Sequence, residues 1–360
     1  MFERVFKLSE HKTTVKTEVM AGITTFMTMA YILAVNPSVL GSTGMDTTAV
    51  LLATALASCL GTLCMAFMAN LPFALSAGMG LNAFMAYTVV AGYGYSWQVA
   101  LLAVFIEGLI FIVLSLTNIR EAIFNAIPLT LKKGVSVGIG LFIAFIGLQN
   151  SGLCVDSATL VGIISFPENF HTAGICALLT LIGLFFTAVF YTRKMKGAIL
   201  YGILLTWILG MLCQVTGLYV PTPDAGFYSL FPSWGMTDFS KLGLTFGQCF
   251  NVDFSAVGIV NFIVVIFSFL FVDIFDTLGT LIGVATKAKM LDKDGKLPGI
   301  KPALLADSIA TSAGAILGTS TTTTFVESAS GVAVGGRTGL TALVTGILFL
   351  VSTLFAPIFT

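Results

Sequence analysis

Apolar runs long enough to cross a membrane recur along this chain at short intervals, and that recurrence leaves few folds open to it. Read between polar breaks, they fall at about 18–38, 48–69, 71–90, 97–117, 130–150, 172–192, 197–215, 255–286, 302–318, 320–336 and 338–359, eleven in all. The 360 residues carry only 17 Lys and Arg and 17 Asp and Glu, 9% of the chain, against roughly 25% in a soluble domain. So few charges cannot cover a soluble surface of this size, and the sequence predicts an all-α polytopic membrane protein. A net charge of zero gives no support to nucleic-acid binding. Cys59, Cys64, Cys154, Cys176, Cys213 and Cys249 show no CxxC pair or other metal spacing and read as small buried hydrophobes.

The cations set the direction. With the N-terminus inside, the inner segments hold Arg4, Lys7, Lys12 and Lys16; Arg120, Lys132 and Lys133; Arg193, Lys194 and Lys196; Lys287, Lys289, Lys293, Lys296 and Lys301; and Arg337. Only Lys241 falls outside, with Asp156, Glu168, Asp224, Asp238 and Asp253. That bias predicts a multi-pass protein of the cell membrane with a cytoplasmic N-terminus. Residues 1–17 have no signal-peptide core and read as a cytoplasmic amphipathic segment, with Phe2, Val5 and Phe6 available to the interface.

Two runs are poor lipid-facing helices. Residues 71–90 begin Leu-Pro and carry Gly78, Gly80 and Asn82, while 319–336 is largely Thr, Ser and Gly. Backbone that leaves the helix at membrane depth must be buried in protein or line a cavity, and interrupted spans in matching places of two halves point to a transporter's binding site. An offset of 252 sets Ser76-Ala77 on Ser328-Ala329 and Thr24–Thr28 on Asp276–Thr280. Seven spans precede residue 250, and an odd number inverts the second copy. On this offset residue 360 matches residue 108, so about three more helices are expected beyond the end.

Charges at the bilayer centre are costly and mark function. Here they are Glu107, Asp273, Asp276, Asp307 and Glu327. Asp273 and Asp276 share one helix face with Thr277 and Thr280 nearby. Asp276 and Glu327 are expected to converge on a central site as acceptors for the N–H groups of a small heterocycle, and to carry a coupling proton. Asp273 either joins them in proton coupling, or caps a half-helix or bonds a neighbouring span. Glu107 is read as a structural pair across helices, Asp307 as an acid complementing the start of its helix, and Asn82 as either a helix cap or a cavity residue. Gly134-x-x-x-Gly138 and the glycines of 335–339 permit close helix contact. Neither His11 nor His171 has ligand-spaced partners, so no metal or cofactor is expected.

The stretches 6–40 (FKLSEHKTTVKTEVMAGITTFMTMAYILAVNPSVL), 71–87 (LPFALSAGMGLNAFMAY), 269–285 (FLFVDIFDTLGTLIGVA) and 322–340 (TTTFVESASGVAVGGRTGL) resemble signatures of the azaguanine-resistance-type purine permeases, a branch of the nucleobase:cation symporter superfamily. The resemblance implies two inverted sets of seven spans, with short strands in spans three and ten and the last three spans missing here. It also implies a core domain from spans 1–4 (18–117) and 8–11 (255–360), a gate domain from spans 5–7 (118–216), and an extracytoplasmic loop at 217–254. The implied activity is proton-coupled uptake of adenine, guanine or hypoxanthine. Asp276 falls on the family's substrate acid of span eight, Glu327 on that of span ten and Asn82 on the polar residue of span three; Thr280 and Val326 join them as substrate contacts. The partners expected are a purine nucleobase, a proton and the lipid bilayer, with homodimerisation left open. A uracil, xanthine or anion carrier is the alternative within this class. An intramembrane aspartyl hydrolase lacks its Gly-x-Gly-Asp setting, and a continuous channel suits broken spans around a buried acid pair less well.

Overall fold

A computed structural model describes residues 2–117, 119, 122, 128–157, 160–193, 195, 198–222, 227–233, 235–254, 257–292 and 297–358, excepting the side chains at 129, 132, 133, 135, 136, 139, 142, 143, 200 and 278. Arg120, Lys194, Lys196, Asp224, Lys293 and Lys296 lie outside the described residues, as do the side chains of Lys132 and Lys133. Among the described residues seven helices are long and apolar enough to cross a membrane: Val15–Gly41, Thr47–Ala69, Trp97–Leu116, Phe166–Thr192, Ile259–Ala288, Ile300–Leu317 and Gly339–Ile358. Met79–Gly92 and Tyr201–Val215 are shorter apolar helices, and Leu129–Asn150 is a further helix.

The chain divides into two compact units, Met1–Val137 with Gly235–Thr360, and Gly138–Trp234. In order, the larger unit contains α1 (Phe2–Phe6), α2 (Val15–Met29), α3 (Ile32–Gly41), α4 (Thr47–Cys64), β1 (Leu75–Ala77), α5 (Met79–Ala83) and α6 (Trp97–Leu116). The helix α7 (Leu129–Asn150) carries the chain out of it. The smaller unit adds β2 (Cys154–Ser157), β3 (Leu160–Ile163), α8 (Ile175–Thr192) and α9 (Ala198–Val215). The larger unit then resumes with α10 (Ile259–Ala288), α11 (Ile300–Leu317), β4 (Thr322–Thr324), α12 (Ser328–Val334) and α13 (Gly339–Ser352).

Small residues set the spacing in the larger unit. A Cβ at Gly22 would lie 2.6 Å from the Val344 Cβ, and Gly331 sits directly against Ala21 and Thr25, so α2 meets both α12 and α13 almost backbone to backbone. Hydroxyls then bond across these contacts: Thr345 donates to the Gly22 carbonyl at 3.0 Å. The Glu18 carboxylate, fully buried, accepts from the backbone N–H groups of Arg337, Thr338 and Thr341 and from the Thr341 hydroxyl. It thereby supplies acceptors for the free donors at the start of α13. Phe6 packs beside this end, with Ala66 and Leu340, and is 1% exposed. The expectation that Phe6 is free for the interface therefore fails, because docking α1 on the helices buries it; Phe2 and Val5 remain exposed.

In the smaller unit β2 and β3 form an antiparallel hairpin. Here α8 and α9 approach through a reciprocal motif, with Gly183 against Thr206 and Gly202 against Thr187. Each threonine hydroxyl also donates at 2.7 Å to the glycine carbonyl one turn back on its own helix. Of the expected contact glycines, Gly134 and Gly138 face open space among the described residues, whereas Gly335, Gly336 and Gly339 of the larger unit lie against Thr17, Ala21 and Ala66. The α8–α9 pairing uses Gly-x-x-x-Thr.

Candidate functional site

The runs at 71–90 and 320–336 are each a three-residue strand followed by a short helix. β1 and β4 pair antiparallel, Leu75 with Thr324, Ser76 with Thr323 and Ala77 with Thr322, and all six residues are buried. The ladder extends at both ends, by Gly78 N–H to the Thr321 carbonyl and Phe325 N–H to the Ala74 carbonyl, each 2.9 Å. A two-stranded ribbon leaves donors and acceptors on both edges, which buried backbone cannot afford. Helix hydroxyls cover them. Thr62 accepts from Leu75 N–H and donates to its carbonyl, Ser328 accepts from Ala74 N–H, and Thr311 donates to the Thr322 carbonyl. The offset of 252 equates Ser76-Ala77 with Ser328-Ala329, yet the first pair lies in β1 and the second opens α12, so the pattern is out of step with the strands.

The polar run Thr319–Thr324 ties this ribbon to most of the helices around it. Thr319 accepts from Asn36 Nδ2 at 2.9 Å, and Asn36 also donates to Thr54 at 2.7 Å. Ser320 donates to Asn82 Oδ1, Thr321 to Glu107 Oε2 at 2.9 Å, and Thr323 shares a hydrogen bond of 2.9 Å with Thr277. Successive residues thus reach α3 and α4, then α5, α6 and α10. Glu107, on α6, thus accepts from Thr321 in the segment that leads into β4.

Asp276, on α10, lies against Gly78 at the end of β1, where a Cβ would stand 3.4 Å from its Oδ2. Glu327 follows β4 at the opposite end of the ribbon and accepts a 2.6 Å hydrogen bond from the Tyr31 hydroxyl. The two sequence-predicted acids are therefore brought to one buried ribbon, one at each end. Thr280, one turn beyond Asp276, is buried, while Val326 is 59% exposed. Asn82 sits inside α5, whose cap is Gly78, so it is not a helix cap. It is fully buried, and its Nδ2 has no hydrogen-bond partner among the described residues.

Asp273 and Asp307 are fully buried and flank one hydroxyl: Thr277 Oγ1 is 2.9 Å from Asp273 Oδ1 and 3.3 Å from Asp307 Oδ2. The reading of Asp307 as an acid at its helix start is corrected, since α11 begins at Ile300 and Asp307 lies two turns in, beside α10. Tyr31 and Asn36 are the site neighbours that sequence reasoning missed. Asn36 precedes a proline inside an apolar helix, a signal of the kind used for Glu107; Tyr31 carries no local signal at all.

The sequence profile of the Permease family matches residues 16–360. The chain belongs to that family. The adenine permease AdeP of Escherichia coli strain K12 is 42% identical to this permease over 362 residues, which cover 99% of this chain and 76% of AdeP. The guanine/hypoxanthine permeases PbuO and PbuG of Bacillus subtilis strain 168 are 44% and 46% identical, each over 98% of this permease and 78% of its own length. Among solved structures, the transmembrane domain of the cyanobacterial bicarbonate transporter BicA matches with a TM-score of 0.62 at 15% identity, covering 95% of this permease and 85% of that domain. That is a likeness of fold.

Proposed function

We propose that this permease carries purine nucleobases, namely adenine, guanine or hypoxanthine, across the cell membrane in symport with protons, its N-terminus in the cytoplasm. The observation that carries the reading is the placement of Asp276 and Glu327 at the two ends of the buried β1–β4 ribbon, joined to its close relatives' being adenine and guanine/hypoxanthine permeases. A purine presents N–H donors along its edges, and the two carboxylates are acceptors for them. Asn82, with an unbonded buried amide donor, faces a ring nitrogen or carbonyl, and Thr280 and Val326 complete the contacts. Asp276, Glu327 and Asp273 are the groups proposed to take up the coupling proton, since buried carboxylates near one another cannot all stay ionised. Transport follows alternating access of an inverted-repeat fold, with 18–117 and 255–360 as the core domain, 118–216 as the gate and 217–254 as an outer loop.

Cells producing the full-length protein are expected to take up labelled adenine, guanine or hypoxanthine along a pH gradient, with uptake abolished by a protonophore and competed by unlabelled purines but not by uracil. Replacing Asp276→Ala and Glu327→Ala together takes uptake to background. Undiminished uptake by that double variant would sink the site assignment, and competition by uracil or xanthine alone would move the substrate to another nucleobase class.

A further inference from the structure

The first long span is interrupted where it passes the site. α2 ends at Met29 and α3 begins at Ile32, with Ala30 and Tyr31 between them. The Tyr31 carbonyl is shared by the N–H groups of Ala34 and Val35, at 3.1 and 2.9 Å, a tightening of the helical ladder. At this break two side chains three residues apart reach α12 together. The Tyr31 hydroxyl donates to Glu327 Oε1 at 2.6 Å, and the Thr28 hydroxyl shares a 2.8 Å bond with Ser330. Ser330, three residues after Glu327, donates in turn to the Glu327 carbonyl at 2.6 Å. Two i, i+3 pairs therefore face each other, one from each element. The lower pair fixes the backbone that carries Glu327, and the upper pair fixes its carboxylate.

A phenol can donate only one proton. Tyr31 spends it on Oε1, and the Glu327 backbone N–H also bonds this carboxylate, so its rotation about the terminal torsion is restricted. An unrestrained Glu has three rotatable torsions to order when it meets a ligand, and that ordering costs binding free energy. We propose that Tyr31 is a positioning residue for purine binding: its hydroxyl pre-orients the Glu327 carboxylate for the ligand N–H. The proposal rests on the reading of Glu327 as a purine-binding acid, and it assigns to the break in the first span a part in recognition.

The test measures KM and Vmax for the labelled purine in Tyr31→Phe, Glu327→Gln, the Tyr31→Phe/Glu327→Gln double variant and Thr28→Val. Losing a hydrogen bond to a charged group is expected to raise KM about ten-fold in Tyr31→Phe with Vmax within about twofold. In the Glu327→Gln background the amide Oε1 still accepts from the phenol but without the charge, so the same change is expected to have a smaller effect, about twofold. Thr28→Val, which cuts the contact fixing the Glu327 backbone, is expected to raise KM by less than Tyr31→Phe, since the Tyr31 hydroxyl still holds the carboxylate. An unchanged KM in Tyr31→Phe, alongside a raised KM in Glu327→Gln, overturns the proposal and spares the site. An unchanged KM in Glu327→Gln overturns the site reading and the proposal with it. An equal effect of Tyr31→Phe in both backgrounds shows that the hydroxyl does not act through Glu327, and also overturns it. Should Tyr31→Phe not fold, 3-fluorotyrosine at position 31 keeps the shape and alters the donor; a twofold or larger change in KM is expected, and an unchanged KM counts against the proposal.

Discussion

At the residue scale, Gly78 shows how little room the site leaves. Its φ of −69° is open to any residue, so backbone conformation does not require glycine there. Space does: a Cβ would stand 2.7 Å from Thr323 Cγ2 and 3.4 Å from Asp276 Oδ2. Thr323 cannot easily yield, since it lies in β4 and bonds Thr277. Gly78→Ala is therefore expected to destabilise the protein by about 1–3 kcal/mol through overpacking and to raise KM for purine by displacing Asp276. Thermal melts of the purified variant and uptake kinetics check the two effects separately, and a melt and KM equal to the parent's would show that the ribbon gives way freely. The acids were legible in the sequence because a charge inside an apolar run is conspicuous. Their neighbours were not. Tyr31 is an ordinary aromatic in an apolar span, and only its approach to Glu327, 296 positions away along the chain, singles it out.

At the element scale, the interruptions of spans three and ten were visible as Pro, Gly and Thr-rich sequence, while the register of β1 on β4 was not. Register depends on which hydroxyls of α4, α11 and α12 cover the ribbon edges, and those lie far away in sequence. A helix start gives a simpler case. Asp46 caps α4 by accepting from Ala49 N–H at 3.0 Å and pairs with Lys241 Nζ at 2.7 Å. Partial burial pushes its carboxyl up, but the bonds from Lys241 and the Ala49 amide outweigh that and leave it below its ordinary value. A carboxyl lowered in the folded state contributes stability that is present above the unfolded value, near pH 4, and is lost as pH falls through the lower folded value. Asp46→Asn keeps the cap and removes the ion pair. It is expected to melt below the parent at pH 7, with the gap closing in acid, whereas Asp46→Ala loses about a further 1 kcal/mol with the cap. Melting curves between pH 3 and 7 check this; a gap that stays constant across that range would remove the ion pair from the account.

At the scale of the whole molecule, direction across the membrane is a matter of charge placement, and it can be tested directly. Gly243 is exposed and has open space around it, and Lys287 is exposed at the other side of the predicted topology. In a background without the six native cysteines, Gly243→Cys is expected to react with a membrane-impermeant maleimide in intact cells, and Lys287→Cys only after permeabilisation. Labelling in the opposite sense would invert the topology. The sequence by itself determined the membrane class, the sites of interruption and the acids, because hydropathy and charge are local properties that a bilayer sorts with penalties of roughly 2.5–3.5 kcal/mol per buried charge. Tertiary structure alone decided that Asp307 is an interior acid, that Tyr31 holds Glu327, and that Thr319, Thr321 and Thr323 bond side chains of different helices. The reason is physical: a buried polar group must find a partner, and which partner it finds is fixed only when distant parts of the chain pack together.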